Sequence, residues 1–198
     1  MTLPQNNTSA AEIDGRRLRS QVSRAKIVEA LMTLVEAGQV DPSAEEVTAT
    51  AGVGLRSVFR HFKDMESLRQ EISVKIEQVL RASLVSPVEG ETWQARIAFI
   101  AARRAANFEA ILPYHRAALV HSHRSLVLRA DVERFNAGCR TILEAVAPPQ
   151  LVADKVRFAA VELLLSFEAW MRLRVEQGLT PEEAKEAVSL SLNSLFKG

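Results

Sequence analysis

The chain has 198 residues, of which 47% are hydrophobic and 25% charged, and its formal net charge is +1. That describes one large or two small globular domains and excludes a disordered chain or a protein that binds polyanions by bulk charge. One cysteine, Cys139, excludes an intramolecular disulfide and a cysteine-based zinc site. It reads as a small buried hydrophobe, with a redox sensor as the alternative. Ala, Leu, Glu and Arg dominate, and neither β-branched alternation nor an Asn-Gly or Asp-Gly turn occurs, so an all-α fold is expected. The first residues lack the apolar stretch of a signal peptide, and no apolar run reaches about 18 residues. A soluble, cytoplasmic protein without membrane attachment is therefore expected.

In chain order, residues 1–19 are polar and without periodicity, and read as a disordered basic arm. Arg16, Arg17, Arg19, Arg24 and Lys26 fall in one short stretch without an acid. Such a run is either a solvated arm or a contact to a phosphate backbone or minor groove. Residues 1–75 as a whole hold ten basic and ten acidic residues, so only placement can concentrate positive charge. The spacing of Ile27, Ala30, Leu31, Leu34 and Val35 predicts a helix from about Ser20 to Ala37, stopped by Gly38.

Ser43 to Phe62, S-A-E-E-V-T-A-T-A-G-V-G-L-R-S-V-F-R-H-F, reads as two short helices about a glycine turn. Ser43 and Glu46 have capping-box spacing, and Gly52 tolerates positive φ. In the second helix Leu55, Val58, Phe59 and Phe62 share one side, expected to be buried. Gly54, Arg56, Ser57, Arg60 and His61 share the other, which carries no acid. This is the layout of a helix-turn-helix whose second helix enters a DNA major groove.

The residues A-G-V-G-L-R-S-V-F-R-H-F-K-D-M-E-S-L resemble the helix-turn-helix of the TetR-type (TetR/AcrR-like) transcriptional regulators, roughly A-G-V-S-x-G-T-L-Y-x-H-F-x-S-K-E-x-L. R-A-K-I-V-E-A-L-M-T-L-V-E-A-G, from Arg24 to Gly38, resembles that family's first helix. The specific likeness covers about 50 residues; the rest agrees in length and helical character only. It implies a double-stranded DNA operator read by Ser43, Leu55, Arg56, Ser57, Phe59, Arg60, His61 and Lys63. Arg56 and Arg60 can each donate two hydrogen bonds to guanine, or contact phosphate instead. The family's histidine, here His61, contacts phosphate. Leu55 faces the groove in the family, whereas periodicity places it on the core side. Gly54 stands where Ser is frequent, Arg56 where the residue is small, Phe59 where Tyr is usual, and Met65 where a Lys supports phosphate binding, a role Lys63 can take over.

A fourth helix is expected from Asp64, its N-cap, to about Leu84, carrying Leu68, Ile72, Ile76 and Val79. Ser86-Pro87-Val88-Glu89-Gly90 then breaks the chain. Helices follow over Thr92–Ile111, Tyr114–Leu128 after Pro113, Arg129–Val146, Gln150–Gln177 after Pro148-Pro149, and from Pro181 to about Phe196. Thr180-Pro181-Glu182-Glu183 is a strong helix start. The expected organisation is a helix-turn-helix domain over 20–63 and a larger helical effector-binding and dimerisation domain over 64–198, about nine helices in all.

From the resemblance, Trp93, Phe99, Phe108, Tyr114, Phe135, Phe158 and Phe167 are candidate lining of a small-molecule effector pocket, or core. Arg96, Arg103, Arg104, Arg116 and Arg124 favour an anionic effector, or form a solvated face. The last two helices carry apolar residues on more than one side. Phe167, Trp170, Met171, Leu190 and Leu195 are candidates for a homodimer contact, or core. The function implied is a ligand-responsive regulator, a repressor released from a palindromic operator by its effector. A helical dimer that has lost sequence-specific DNA binding, and a small helical enzyme, are the alternatives. Against the enzyme, His115, His121 and His123 lie near Glu109 in sequence but lack the i, i+4 spacing of a metal pair, and no catalytic signature is present. Neither a catalytic residue, a metal nor a cofactor is expected.

Overall fold

The computed structural model describes residues 8–122 and 126–197, and among them it contains ten α-helices, one π-helical turn and no strand. The chain divides into two compact units, the first ending at Ile72 and the second starting at Ser73.

In the first unit α1 spans Thr8–Glu36, α2 Ala44–Ala51 and α3 Leu55–His61, while α4, Met65–Leu84, contributes its opening turns. Helix α1 starts at Thr8 rather than near Ser20, so Arg16, Arg17 and Arg19, expected on a disordered arm, lie on a helix. The intervening S-A-A-E-I-D-G-R-R-L-R is rich in helix formers, and its one glycine costs only about 1 kcal/mol. Ile27, Val28, Ala30, Leu31 and Val35 bury one side of α1, which packs on α2 and α3. Ser43 caps α2 as expected: Glu46 N–H donates to its Oγ (3.2 Å), and its own N–H donates to the Glu46 carboxylate (2.8 Å). Gly52 closes α2 at φ 64°, a left-handed position that a side chain resists.

The first unit extends past the boundary expected at residue 63 because the start of α4 braces it. Leu68 and Ile72 are buried. Arg24 on α1 donates two hydrogen bonds to Glu71 on α4 (2.9 and 3.0 Å), and Arg69 donates to Asp41 (2.6 Å). Asp64 caps α4, accepting from Ser67 N–H at 2.8 Å.

The second unit holds the rest of α4, then α5 Trp93–Ser122, α6 Leu126–Val146, α7 Pro149–Ala153, α8 Lys155–Leu164, α9 Phe167–Met171, a π-helical turn Arg172–Glu176 and α10 Pro181–Lys197. Two expectations fail here. Pro113 lies inside α5 rather than between two helices. Its missing N–H costs one backbone bond, but Phe108 and Ile111 on one side of it are buried and His115 on the other stacks on Phe167, so both flanks are held helical by packing. The single long helix expected over Gln150–Gln177 is instead three short helices and the π turn. The breaks sit at side chains that cap new helices: Asp154 accepts from Arg157 N–H at 3.0 Å, and Ser166 from Ala169 N–H at 3.1 Å.

Two apolar clusters fill this unit. One gathers Ile97, Leu143, Phe158, Val161, Val188 and Leu192 from α5, α6, α8 and α10. The other gathers Leu80, Phe108, Ile111, Phe167 and Trp170 from α4, α5 and α9. The π turn aims Arg174 at α5: its guanidinium donates to both Glu109 oxygens (2.7 and 3.1 Å) and to the Leu179 carbonyl, and Trp170 Nε1–H donates to the same carboxylate at 2.8 Å. Arg174's hydrogen bond, aided by that of Trp170, holds the Glu109 carboxyl below the usual range.

Candidate nucleic-acid interface

Helix α3 divides its four apolar residues differently from the expected two-sided pattern. Val58 is 0% and Phe62 3% exposed, but Leu55 is 41% and Phe59 48% exposed. The conflict over Leu55 is thereby decided: it lies at the surface, where the family resemblance puts it. Phe59, one turn on, lies at the surface with it. Seven residues make only two turns, and the neighbours α1 and α2 cover a stripe wide enough for Val58 and Phe62. Arg56 and Arg60 are also exposed. The free surface of α3 is therefore an apolar pair and a basic pair, each at i, i+4 spacing, without an acid.

Gly54 serves as N-cap of α3 in an extended conformation, φ −76° and ψ 151°, without a side-chain cap. The helix forms regardless, since glycine is an acceptable N-cap. Ser57 accepts a 3.4 Å hydrogen bond from Arg60. Ser43 is committed to the capping box but keeps its hydroxyl hydrogen. Lys63 is exposed and Met65 half-buried. His61 Nε2 is buried without a hydrogen-bond partner. Burial, then Arg60 and Arg24, hold its ring below the usual imidazole value. Arg24, in the basic stretch of the sequence, is used differently from the DNA contact considered for it. Besides Glu71 it covers the Phe62 ring at 4.5 Å, which ties α1 to α4 and to the end of α3.

In the second unit a cavity of about 390 Å³ lies among α5, α6, α8 and α9. Of the seven aromatic candidates, Phe108, Phe135 and Phe167 line it. The other four candidates do not: Trp93 packs edge-on against Phe196, Phe158 is in the core, Phe99 lies beneath Arg103, and Tyr114 is half-buried away from the lining. Of the five arginines, Arg96 donates to the Gly90 carbonyl and Arg103 to that of Ser86, while Arg116 is exposed. Arg104 alone is buried and lines the cavity. Arg124 lies outside the described residues. Cys139 also lines the cavity, and burial pushes its thiol up, against the thiolate a redox sensor needs.

Among the dimer candidates, Phe167 and Trp170 are 1% and 3% exposed, consumed by the protomer's own core. Met171 and Leu195 also pack against core clusters, and Leu190 is 62% exposed. Val156 and Leu163 on α8, which sequence reading did not single out, are also exposed, 83% and 63%, and Leu163 lines the cavity as well. Their seven-residue spacing put them on one helical face, but only once α8 had a start could that face be distinguished from the core side.

His115 stacks on Phe167 (3.9 Å between centroids), and its Nε2 is buried without a partner. His123 and the side chain of His121 lie outside the described residues. Among those described, His, Cys, Asp and Glu nowhere gather in a group that could hold a metal ion. No described helix is long and apolar enough to cross a membrane.

The structure is thus a helix-turn-helix unit joined to a larger helical unit with its own cavity. No protein-family model and no curated protein matches the sequence. Solved structures do match. A putative TetR-family regulator from Mesorhizobium loti is 18% identical with a TM-score of 0.62, over 90% of this chain and 97% of that one. One from Rhodococcus sp. is 16% identical with a TM-score of 0.59, over 87% and 98%. A TetR-family regulator from Marinobacter aquaeolei is 18% identical with a TM-score of 0.58, over 89% and 97%. The chain has the fold of the TetR-family transcriptional regulators across nearly its whole length.

Proposed function

We propose that this protein is a cytoplasmic, ligand-responsive transcriptional repressor that binds a palindromic operator as a homodimer and releases it when a small molecule enters the second unit. The carrying observation is the free face of α3. Arg56 and Arg60 suit guanine edges, and exposed Leu55 and Phe59 suit thymine methyls. Ser43, Ser57, His61 and Lys63 suit the flanking phosphates. A single seven-residue helix reads too few bases for a specific site, so two copies about 34 Å apart are needed. Val156 and Leu163 on α8 and Leu190 on α10, helices that pack together, offer an apolar surface for the second copy. Effector release is a coupling between cavity and operator: the ligand must bind the DNA-free form more tightly than the DNA-bound form.

The test is binding to the DNA upstream of the protein's own gene, at two salt concentrations, with wild type and the Arg56→Ala/Arg60→Ala double variant. Specific binding is expected to fall by about 10- to 100-fold per lost base contact, with a smaller loss on unrelated DNA. Equal losses on both DNAs make the arginines phosphate contacts only. Absence of wild-type binding to any upstream fragment overturns the regulator reading.

A further inference from the structure

Of the charged and polar residues described, Arg104 alone is buried, at 6% exposure. Its guanidinium donates to the Leu165 carbonyl (3.0 Å) and to the Cys139 carbonyl. Those acceptors use two of its five N–H donors and do not neutralise its charge. Among the described residues no carboxylate forms an ion pair with it. Glu162, beside it in the cavity wall, is engaged by Arg140 at 2.5 Å. Glu168 also lines the cavity but is exposed, where water screens it. Burial lowers Arg104 from its usual value, as expected of a charge not fully compensated, although arginine stays protonated in proteins. Bridging two carbonyls needs only neutral donors. A buried cation is costly unless something anionic meets it, and this one faces a cavity.

Three aromatic rings share the wall with Arg104 and with the polar and small residues of α6 and α8. Phe108 meets Phe135 (6.4 Å between centroids) and Phe167 (5.4 Å) edge-on, so the three rings form an apolar corner. The volume, about 390 Å³, is at the small end of the range for small-molecule sites. At the ~30 Å³ that a water molecule takes in the liquid, it has room for about a dozen non-hydrogen atoms. We propose that the cavity binds a small amphipathic carboxylate, with Arg104 receiving the carboxylate and Phe108, Phe135 and Phe167 holding the apolar remainder. This names the ligand class for the sensor proposed above and rests on that reading for its consequence on DNA, though not for binding itself.

The probe is 4-phenylbutyrate, which fits that size, compared with its amide and with 4-phenylbutylamine by titration calorimetry on the full-length protein at pH 7.5. The carboxylate is expected to bind at least about tenfold tighter than the amide, and the amine more weakly still. Arg104→Met is expected to erase the preference for the carboxylate. Asn136→Trp, which adds bulk at the exposed α6 edge of the cavity and leaves Arg104 in place, is expected to weaken binding of the carboxylate while thermal stability stays within a few degrees. If Arg104→Met does not fold, the comparison of the three probes on wild type and on Asn136→Trp decides the matter. Equal binding of amide and carboxylate, preference for the amine, no binding by any probe, or full binding to Asn136→Trp each overturns the proposal. Carboxylate binding that leaves operator binding unchanged upholds the anion site and overturns the sensor reading instead.

Discussion

Side chains of one type have separate fates here, and local geometry assigns them. Arg24 braces the first unit against Glu71 and Phe62, Arg174 locks the π turn to Glu109, Arg104 is buried at a cavity, and Arg56 and Arg60 stay at the surface. Sequence distance separates the exposed pair poorly from the rest, because ion-pair partners lie far along the chain. Histidine gives a sharper consequence. Burial pushes His115 below the usual imidazole value, opposed by Glu168, and its Nε2 has no partner. Above the unfolded value of about 6.5 the folded and unfolded forms are both neutral there, so His115 adds no pH dependence. Below it the unfolded chain takes up a proton that the folded chain resists, and stability falls as the pH drops from there to the folded value. Urea denaturation between pH 8 and pH 5 should show this loss, and His115→Phe should reduce it. At pH 7.5 that variant should be within about 1 kcal/mol of wild type, since it removes an unpaired polar atom. An unchanged acid profile would assign the loss to other groups.

Elements are governed by their ends. The capping box at Ser43 and the Thr180–Glu183 start were legible in sequence because both partners sit within one turn, and both form: Glu183 N–H donates to Thr180 Oγ1 at 3.2 Å. Asp154 and Ser166 are equally local caps, yet the apolar run around them reads as one helix. Gly54 offers the clearest element-scale test. It holds an N-cap conformation open to any residue, with nothing within 4 Å of where a Cβ would stand. Gly54→Ser should therefore stabilise the first unit by a few tenths of a kcal/mol, seen as a small rise in denaturation midpoint. Gly52→Ala should do the reverse by about 1 kcal/mol, because its φ of 64° is unfavourable for a Cβ. A neutral result at Gly52 would mean that the turn relaxes without loss.

For the whole molecule, the proposed homodimer makes the exposed apolar residues of α8 and α10 the decisive surface. Val156→Glu combined with Leu190→Glu should convert the dimer to monomer in sedimentation while leaving helix content intact, and should abolish operator binding with it. A double variant that remains dimeric would move the interface elsewhere. The resemblance over about 50 residues, from Arg24 to Leu68, sufficed to anticipate the fold, because a helix-turn-helix packs residues close in sequence. The cavity was only partly legible. Phe108, Phe135 and Phe167 carry the same helical spacing as the four aromatics that went elsewhere, and Asn136, Cys139 and Glu162 carry no signal in a single sequence.

The sequence by itself determined the helical class, the turn at Gly52, the caps at Ser43, Asp64 and Thr180, and the acid-free basic pair on α3. All of these depend on residues within about one turn of each other. Only the tertiary structure decided that Leu55 and Phe59 face outward, that Phe167 and Trp170 belong to the core, that helix α5 passes through Pro113, and that Arg104 alone among the four candidate arginines described is buried at a cavity. Each depends on which neighbour covers which side of a helix, and that is set by packing between residues distant in the chain rather than by any local period.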